Sequence, residues 1–431
     1  MTPATPRSEP APDSSTVSLK ILFLNQTFYP DVVATSQYVS DLAATLAGRG
    51  HDVTVVCSRR AYDNPSEQYP RRERWRGVEI RRISCFGFGK KTRWRRAADF
   101  GSYIMNCAFH LASLRRFDIV VGMTSPPLIS WLGAFFARIK GGRFVFWVMD
   151  LNPDEALAAG WLREGSWTTR FLQTILRDSL RASAMVIALD RFMARRIEEK
   201  GVDGDRIAIL PPWSHDDAVR YDADGREQFR KEHGLDGKFV VMYSGNHTPC
   251  HPLTTLLEAA EALRACSDIV FCFAGGGSEL ETVRRFATRH QLPNIVIVPY
   301  QPLSKLGASL SAADLHTVVM GDAFVGIVHP SKVYNIRALG IPYLYIGPPE
   351  SHVAELGPAF TAAHGDVNAV VRHVRTAAAE GASGLRPFSV PVLSRDGLLG
   401  QMVSVLEDTA VATGGHRAPE TLQERHIRVG G

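Results

Sequence analysis

The chain has 431 residues, 45% of them apolar and 22% charged, with a net charge of +5. That is too much chain for one hydrophobic core and an ordinary composition for two soluble domains, which excludes fibrous and low-complexity classes. No stretch reaches the roughly 20 apolar residues of a spanning helix. No secretory signal opens the chain, and the six scattered cysteines, without a CxxC pair, read as buried free thiols in a reducing compartment.

In chain order, residues 1–18 are rich in Pro, Ser, Thr and Ala and read as a disordered leader. Apolar runs at 21–24, 53–57, 77–83, 119–122, 144–148 and 185–189 predict strands, with amphipathic helices over 35–50 and 167–184 among them. The segment 123–137, broken by Pro126-Pro127, suits a strand, a loop and a helix. The pattern then restarts: strands at 239–244, 269–274, 294–298, 315–319 and 343–346 alternate with helices at 252–266, 279–290, 303–313 and 333–339. Such alternation predicts the α/β class, as two doubly wound, Rossmann-like domains with parallel sheets. The expected domains are 19–212 and 213–392, with a seam near Pro211-Pro212-Trp213 and a polar stretch to 237. A helix over 393–410 is expected to cross back to the first domain, followed by a disordered tail over 411–431. Open parallel sheets bind ligands beyond the carboxyl ends of their strands, so the chemistry is expected in the cleft between the domains.

Several segments carry a resemblance. They are Leu24-Asn25-Gln26-Thr27-Phe28-Tyr29-Pro30-Asp31, Gly48-Arg49-Gly50-His51-Asp52-Val53 and Trp147-Val148-Met149-Asp150-Leu151-Asn152-Pro153-Asp154. Later come Tyr243-Ser244-Gly245-Asn246, Gly275-Gly276-Gly277, Pro299-Tyr300-Gln301-Pro302 and Pro330-Ser331-Lys332-Val333-Tyr334. In this order they resemble retaining glycosyltransferases of family 4, in the branch of bacterial surface-polysaccharide enzymes similar to N-acetyl-L-fucosamine transferases. The resemblance implies a GT-B fold, an acceptor-side first domain, and a second domain that binds a nucleoside-diphosphate sugar. It also implies a reaction without metal or cofactor.

The resemblance places Asp150 beside the donor sugar, where a carboxylate accepts the acceptor's proton or hydrogen-bonds the sugar. Asp154 follows on the acceptor side, or else caps a helix. Thr35 and Ser36 either cap the first helix or touch the acceptor, because the glycines usual in that loop are replaced by Val32-Val33-Ala34. In the second domain, Ser244, Gly245 and Asn246 let the backbone approach a diphosphate, and Gly275 and Gly276 take the ribose and phosphates. Tyr300 and Gln301 hold the base. Lys332, with Ser331 and the start of its helix, stabilises the leaving diphosphate in place of a metal ion. His329 is either a donor contact or a packed histidine. Of the two glutamates usual in this region, the first position holds Val325 and the second Asn335, which is still able to hydrogen-bond a ribose hydroxyl. His247 and His251 flank Pro249-Cys250 at a spacing wrong for a closed zinc site.

Between 71 and 116 the chain is dense in Arg and Lys, including Lys90, Lys91, Arg93, Arg95 and Arg96, interleaved with Trp75, Phe86, Phe88, Trp94 and Phe100. An apolar helix is expected over 103–114. This composition suits either an anionic bilayer face or a solvated helix surface; nucleic acid is not expected, since no reading motif accompanies the charge. The expected protein is therefore a glycosyltransferase acting on a nucleotide-sugar, UDP ahead of GDP, and a lipid-linked or saccharide acceptor. Its expected place is the cytoplasm, as a peripheral protein on the inner face of the membrane. A catalytically weakened binding subunit, a nucleotide-sugar 2-epimerase and a lipid-membrane adaptor are the alternatives.

Overall fold

A computed structural model describes residues 18–412 other than 32, 63–65, 89–92, 215–218 and 382–393. The expected leader, the expected tail beyond 412, and Lys90 and Lys91 lie outside the described residues, as do the side chains of Arg93, Trp94 and Arg96.

The first sheet holds β1 (Lys20–Leu24), β2 (Asp52–Ser58), β3 (Arg72–Trp75), β4 (Val78–Ile83), β5 (Ile119–Gly122), β6 (Arg143–Trp147), β7 (Met185–Ala188) and β8 (Ile207–Ile209). Their order is β3-β4-β2-β1-β5-β6-β7-β8, parallel except for the antiparallel pair β3–β4. Around it lie α1 (Ala34–Gly48), α2 (Arg93–Ala112), α3 (Ile129–Lys140), α4 (Asp154–Ala158), α5 (Trp167–Ala182) and α6 (Arg191–Glu199). Central strands such as β1 and β5 are buried on both faces, which is why they read as unbroken apolar runs.

The second sheet holds β9 (Phe239–Asn246), β10 (Ile269–Gly276), β11 (Ile295–Val298), β12 (Leu315–Val319), β13 (Tyr343–Ile346) and β14 (Phe360–Ala362), in the order β11-β10-β9-β12-β13-β14 and parallel throughout. Its helices are α7 (Ala223–His233), α8 (Thr254–Ala262), α9 (Leu280–Arg289), α10 (Leu306–Ser311), α11 (Lys332–Ala338), α12 (His352–Glu355) and α13 (Val367–Glu380). In both sheets the strand order reverses beside the earliest strands, so each has a crevice at its carboxyl edge, facing the other domain. This is the GT-B architecture.

The last helix, α14 (Arg395–Val411), packs on α1 of the first domain. Leu398, Leu399, Met402, Val403 and Leu406 join the first-domain core, and Arg395 pairs with Asp41 at 2.8 Å. His51 and Glu407 meet at 3.0 Å. Closer to the cleft the domains touch directly. The Leu151 amide donates to the Ile327 carbonyl at 2.9 Å. Gly326 has φ +70, and a Cβ there would sit 2.5 Å from the Phe192 carbonyl oxygen, so only glycine permits this approach.

All six cysteines are free, four of them buried. Among the described residues no helix is long and apolar enough to cross a membrane.

Candidate functional site

The site is built from the carboxyl ends of β9 and β10 and the start of α11. Glycines line it. A Cβ on Gly275, at φ +130, would lie 2.1 Å from the Gly245 carbonyl oxygen, and one on Gly277, also at φ +130, 2.3 Å from that of His247. Neither position tolerates a side chain, so two backbone turns lie against each other with no side-chain bulk between them. Tyr300 covers the edge of this wall: a Cβ on Gly276 would meet its ring at 2.7 Å, and its hydroxyl donates to the Gly276 carbonyl at 3.3 Å. Gln301 is turned to its own strand end, donating to the Pro299 carbonyl at 3.0 Å.

Lys332 enters from α11. Its ammonium lies 3.8 Å from the centroid of the Tyr243 ring and beside Gly245, where an added Cβ would come within 3.0 Å of Nζ. That nitrogen is buried and has no hydrogen-bond partner among the described residues. Burial alone lowers its pKa to about 7. The ring face offers a cation–π contact, but the ammonium's three donors have no oxygen acceptor among the described residues.

His247 and His251, taken from the sequence only as unlikely zinc ligands, flank this ammonium. The Nδ1 of His247 bonds the Gly276 carbonyl at 3.2 Å, leaving its buried Nε2 unpartnered. The Nδ1 of His251 bonds the Val319 carbonyl at 2.7 Å. Burial, reinforced by the Lys332 charge, lowers these two rings to about 4 and about 3, so both are neutral at physiological pH. Two neutral rings beside a lysine lowered to about 7 leave the empty site with a partial positive charge at neutral pH. Tyr243 and these two histidines carried no signal from composition: their roles follow from the close β9–β10 register, Ser244 to Ala274 and Gly245 to Gly275.

Across the cleft, Asp150 follows β6 and lines a cavity of about 500 Å³ with Phe146, Trp161, Leu172, Ile175 and Leu176. Burial first, then the Glu155 charge, raises its pKa to about 7. Glu155 accepts a hydrogen bond from Asn152 at 3.1 Å and a weaker one from the Cys250 thiol of the second domain, at 3.7 Å. Asp154, by contrast, is paired with Lys200 at 2.5 Å, a structural contact.

The helix-cap reading of Thr35 and Ser36 is corrected. Both stand inside the first turn of α1, whose N-cap is Val33 with no side-chain bond. The Thr35 hydroxyl instead lies 3.4 Å from the Thr27 hydroxyl, and the buried Ser36 hydroxyl has no partner among the described residues. Ser331, just before α11, neighbours the phenol of buried Tyr38 on α1, whose pKa burial pushes up to about 12. Asn335 lies half-buried within α11.

His329 is not in the cleft. Its Nδ1 meets Asp190 of the first domain at 2.7 Å, its Nε2 meets the Tyr334 hydroxyl at 2.9 Å, and its side chain is 1% exposed. Val325 packs against the first-domain core while its carbonyl accepts from Arg196 at 2.6 Å. Among the described residues, Asp190, His329 and His352 are the cluster whose ligand atoms lie close enough for a metal. The two imidazoles are stacked at 3.7 Å and 12°, however, so their in-plane lone pairs run side by side instead of converging on one ion.

Residues 34–213 match the glycosyl transferase 4-like domain family. A putative colanic acid biosynthesis glycosyl transferase of Escherichia coli K12, WcaI, is 27% identical over 335 residues, covering 75% of this chain and 82% of that protein. Two solved structures share the fold. Sucrose-phosphate synthase from Thermosynechococcus elongatus has a TM-score of 0.65 at 14% identity, covering 96% of this chain and all of that one. Anabaena HepE in complex with UDP-glucose has a TM-score of 0.60 at 14% identity, covering 83% and 89%.

Proposed function

We propose, starting from a GT-B chain that resembles the family 4 glycosyltransferases, that this protein moves a sugar from a nucleoside-diphosphate donor to an acceptor hydroxyl in surface-polysaccharide assembly. The observation that carries this reading is the buried, unpartnered Lys332 ammonium against a glycine wall. Two backbone turns without side-chain bulk admit phosphates, and a lysine with no carboxylate partner among the described residues attracts them. The complex of HepE with UDP-glucose supports UDP as the base carrier.

In the reaction we infer, the donor diphosphate lies over Gly245 and Gly275 with its terminal phosphate on Lys332. The bond from the anomeric carbon to the phosphate oxygen breaks, and Lys332 stabilises the charge that develops there, which is the task a metal ion performs elsewhere. Asp150, balanced near neutrality, hydrogen-bonds the incoming hydroxyl. That hydroxyl attacks the same face of the sugar, its oxygen bonds the anomeric carbon, and its proton passes to the departing phosphate, so configuration is retained. The acceptor is lipid-linked, with its apolar part in the cavity beside Asp150.

Thermal shift with UDP and GDP, wild type against Lys332→Ala, tests the donor site. A rise with one nucleotide that the variant loses is expected. No rise with either would overturn the donor site. A rise without turnover, on any lipid-linked acceptor, would favour a binding subunit, for which the loss of both usual glutamates speaks.

A further inference from the structure

We propose that the outer faces of α2, α3 and α5 form a docking surface for an anionic phospholipid bilayer. A surface helix normally buries one apolar stripe and shows water a polar one. Here the outward stripe is apolar as well.

In α3, Ile129, Leu132, Phe136 and Ala137 point into the core, while Trp131, Phe135 and Ile139 repeat at four-residue spacing on the opposite side. Ile139 is 63% exposed, and the Trp131 and Phe135 rings, 41% and 51% exposed, stack on each other at 5.6 Å. In α2, Tyr103, Cys107 and Leu111 are buried, and Met105 and Phe109 face outward, Phe109 at 72% exposure. In α5, Leu176 and Leu180 are buried, and Trp167, 80% exposed, and Phe171 stand one turn apart on the outside. The helices are neighbours: α3 packs against both α2 and α5, and Lys140 of α3 reaches the Ala112 carbonyl at the end of α2 at 3.3 Å. The exposed aromatic and aliphatic groups therefore belong to one side of the first domain. An apolar surface of this extent marks an interaction site.

Charge selects the partner. Along α3 and α5 the ionised residues are Arg138, Lys140, Arg170, Arg177 and Arg181 against a single Asp178; Arg115 and Arg116 follow α2, both exposed. A second copy docked by two-fold symmetry would bring these cations against each other, whereas anionic headgroups complement them. Large aromatic rings among cations are also the composition of an interfacial anchor. The basic stretch nearer β3 contributes less than its sequence suggests, because Arg81 and Arg82 are committed to Glu79 and Glu73 at 3.0 and 2.6 Å. From inside, α3 and α5 line the cavity that ends at Asp150, so a bilayer on this face would lie beside the acceptor side of the cleft.

The surface goes beyond the transferase reading and is tested without substrate. Flotation with vesicles of phosphatidylcholine and phosphatidylglycerol, about 3:1, should carry the full chain upward, and phosphatidylcholine alone should not. Trp131→Ser/Phe135→Ser should weaken flotation about tenfold or more, and Arg138→Glu/Lys140→Glu should remove the preference for anionic lipid. The nucleotide-dependent thermal shift is to be measured on every variant. Retained shift with lost flotation supports the surface and shows a folded protein. Failure of the wild type to float, equal flotation by the Trp131/Phe135 variant, or a dimer that this variant dissolves would each overturn it. Lack of a nucleotide shift in a wild type that floats would sink the donor-site reading and leave the surface standing.

Discussion

Asp190 and His329 join the two domains through a hydrogen bond of 2.7 Å between the carboxylate and Nδ1, three residues before Lys332. The same carboxylate receives the Met193 amide at 2.8 Å, capping α6, and lies 3.3 Å from His352, whose ring stacks on His329. Burial opposes a charge at Asp190, yet its partners hold the pKa down to about 2. One buried carboxylate thus ties the first domain to the strand-to-helix turn that presents Lys332, the cation proposed to bind phosphate. Asp190→Ala removes the carboxylate partner of the Nδ1 atoms of two stacked imidazoles and should cost about 3 kcal/mol of stability. Differential scanning calorimetry would reveal it. Because the rings do not converge on an ion, zinc or a chelator should leave the wild-type melting temperature unchanged. A chelator-induced fall would overturn the clamp reading.

The pH dependence of stability follows from four buried neutral rings. His247 and His316 are lowered to about 4, His251 to about 3, and His352 well below 6.5, each chiefly by burial. Between those values and 6.5 the unfolded chain binds protons that the folded chain refuses, so stability falls as pH falls through that window. Asp150, raised to about 7 from 3.8, acts in the opposite direction there, as does Glu155 to a smaller extent. Four groups outweigh two. Asp190 adds a further loss only as pH drops from 3.8 toward 2. Melting curves from pH 7 to pH 4.5 should shift steadily downward. A flat profile would mean that these histidines are hydrated in solution.

The architecture was legible because the central strands are parallel and buried on two faces, so β5 and β13 appear in the sequence as uninterrupted apolar runs with the bounds they have in the fold. The edges were not. β3 reads Arg-Glu-Arg-Trp, charged as an unprotected edge should be, and α7 buries only Phe229 in an otherwise polar helix. In the candidate site, the family resemblance pointed to Lys332 and the glycines, and the fold brings them together. The partners of Lys332 did not. Tyr243, His247 and His251 reach it through the packing of β9 on β10 and β12, a relationship of register that no local pattern records. His329 shows the converse: the sequence left it open between a donor contact and a packed histidine, and Asp190, 139 residues away, holds it buried.

Gly326→Ala should open the domains. Its Cβ would lie 2.5 Å from the Phe192 carbonyl at a φ of +70, so strain and collision act together. We expect a loss of about 2 kcal/mol and a larger radius of gyration by small-angle scattering. Gly340 shares nearly the same φ, +71, and has open space around it, so Gly340→Ala serves as the control for strain alone. Equal effects from the two substitutions would show that the interdomain contact contributes nothing.

Val325→Glu, which puts a carboxylate where relatives of this type usually have one, should not improve turnover. The side chain packs against the first-domain core and the backbone is held by Arg196 at 2.6 Å. A carboxylate at this half-buried position would exchange apolar packing for partial desolvation, with Arg196 already committed to the backbone, and should lower stability by about 1 kcal/mol. Increased transfer by this variant would mean that the valine points toward the donor during the reaction.

Lys332 should make nucleotide binding depend on pH in one direction. With its pKa lowered to about 7 by burial, half of the empty sites are uncharged at neutral pH. A diphosphate favours the charged form, so binding takes up a proton, and the affinity for UDP should fall as pH rises from 7.5 to 9. Each pH unit in that range weakens binding by up to about tenfold. Lys332→Arg separates charge from fit: guanidinium stays protonated throughout, so the variant should bind more weakly at pH 7 but lose no affinity toward pH 9. Calorimetry in two buffers of different ionisation enthalpy would count the proton directly. An uptake near one half at pH 7 is expected in the wild type and none in the arginine variant. Zero uptake in both would place the lysine charge elsewhere in the cleft and remove the metal-free account of how the leaving diphosphate is stabilised.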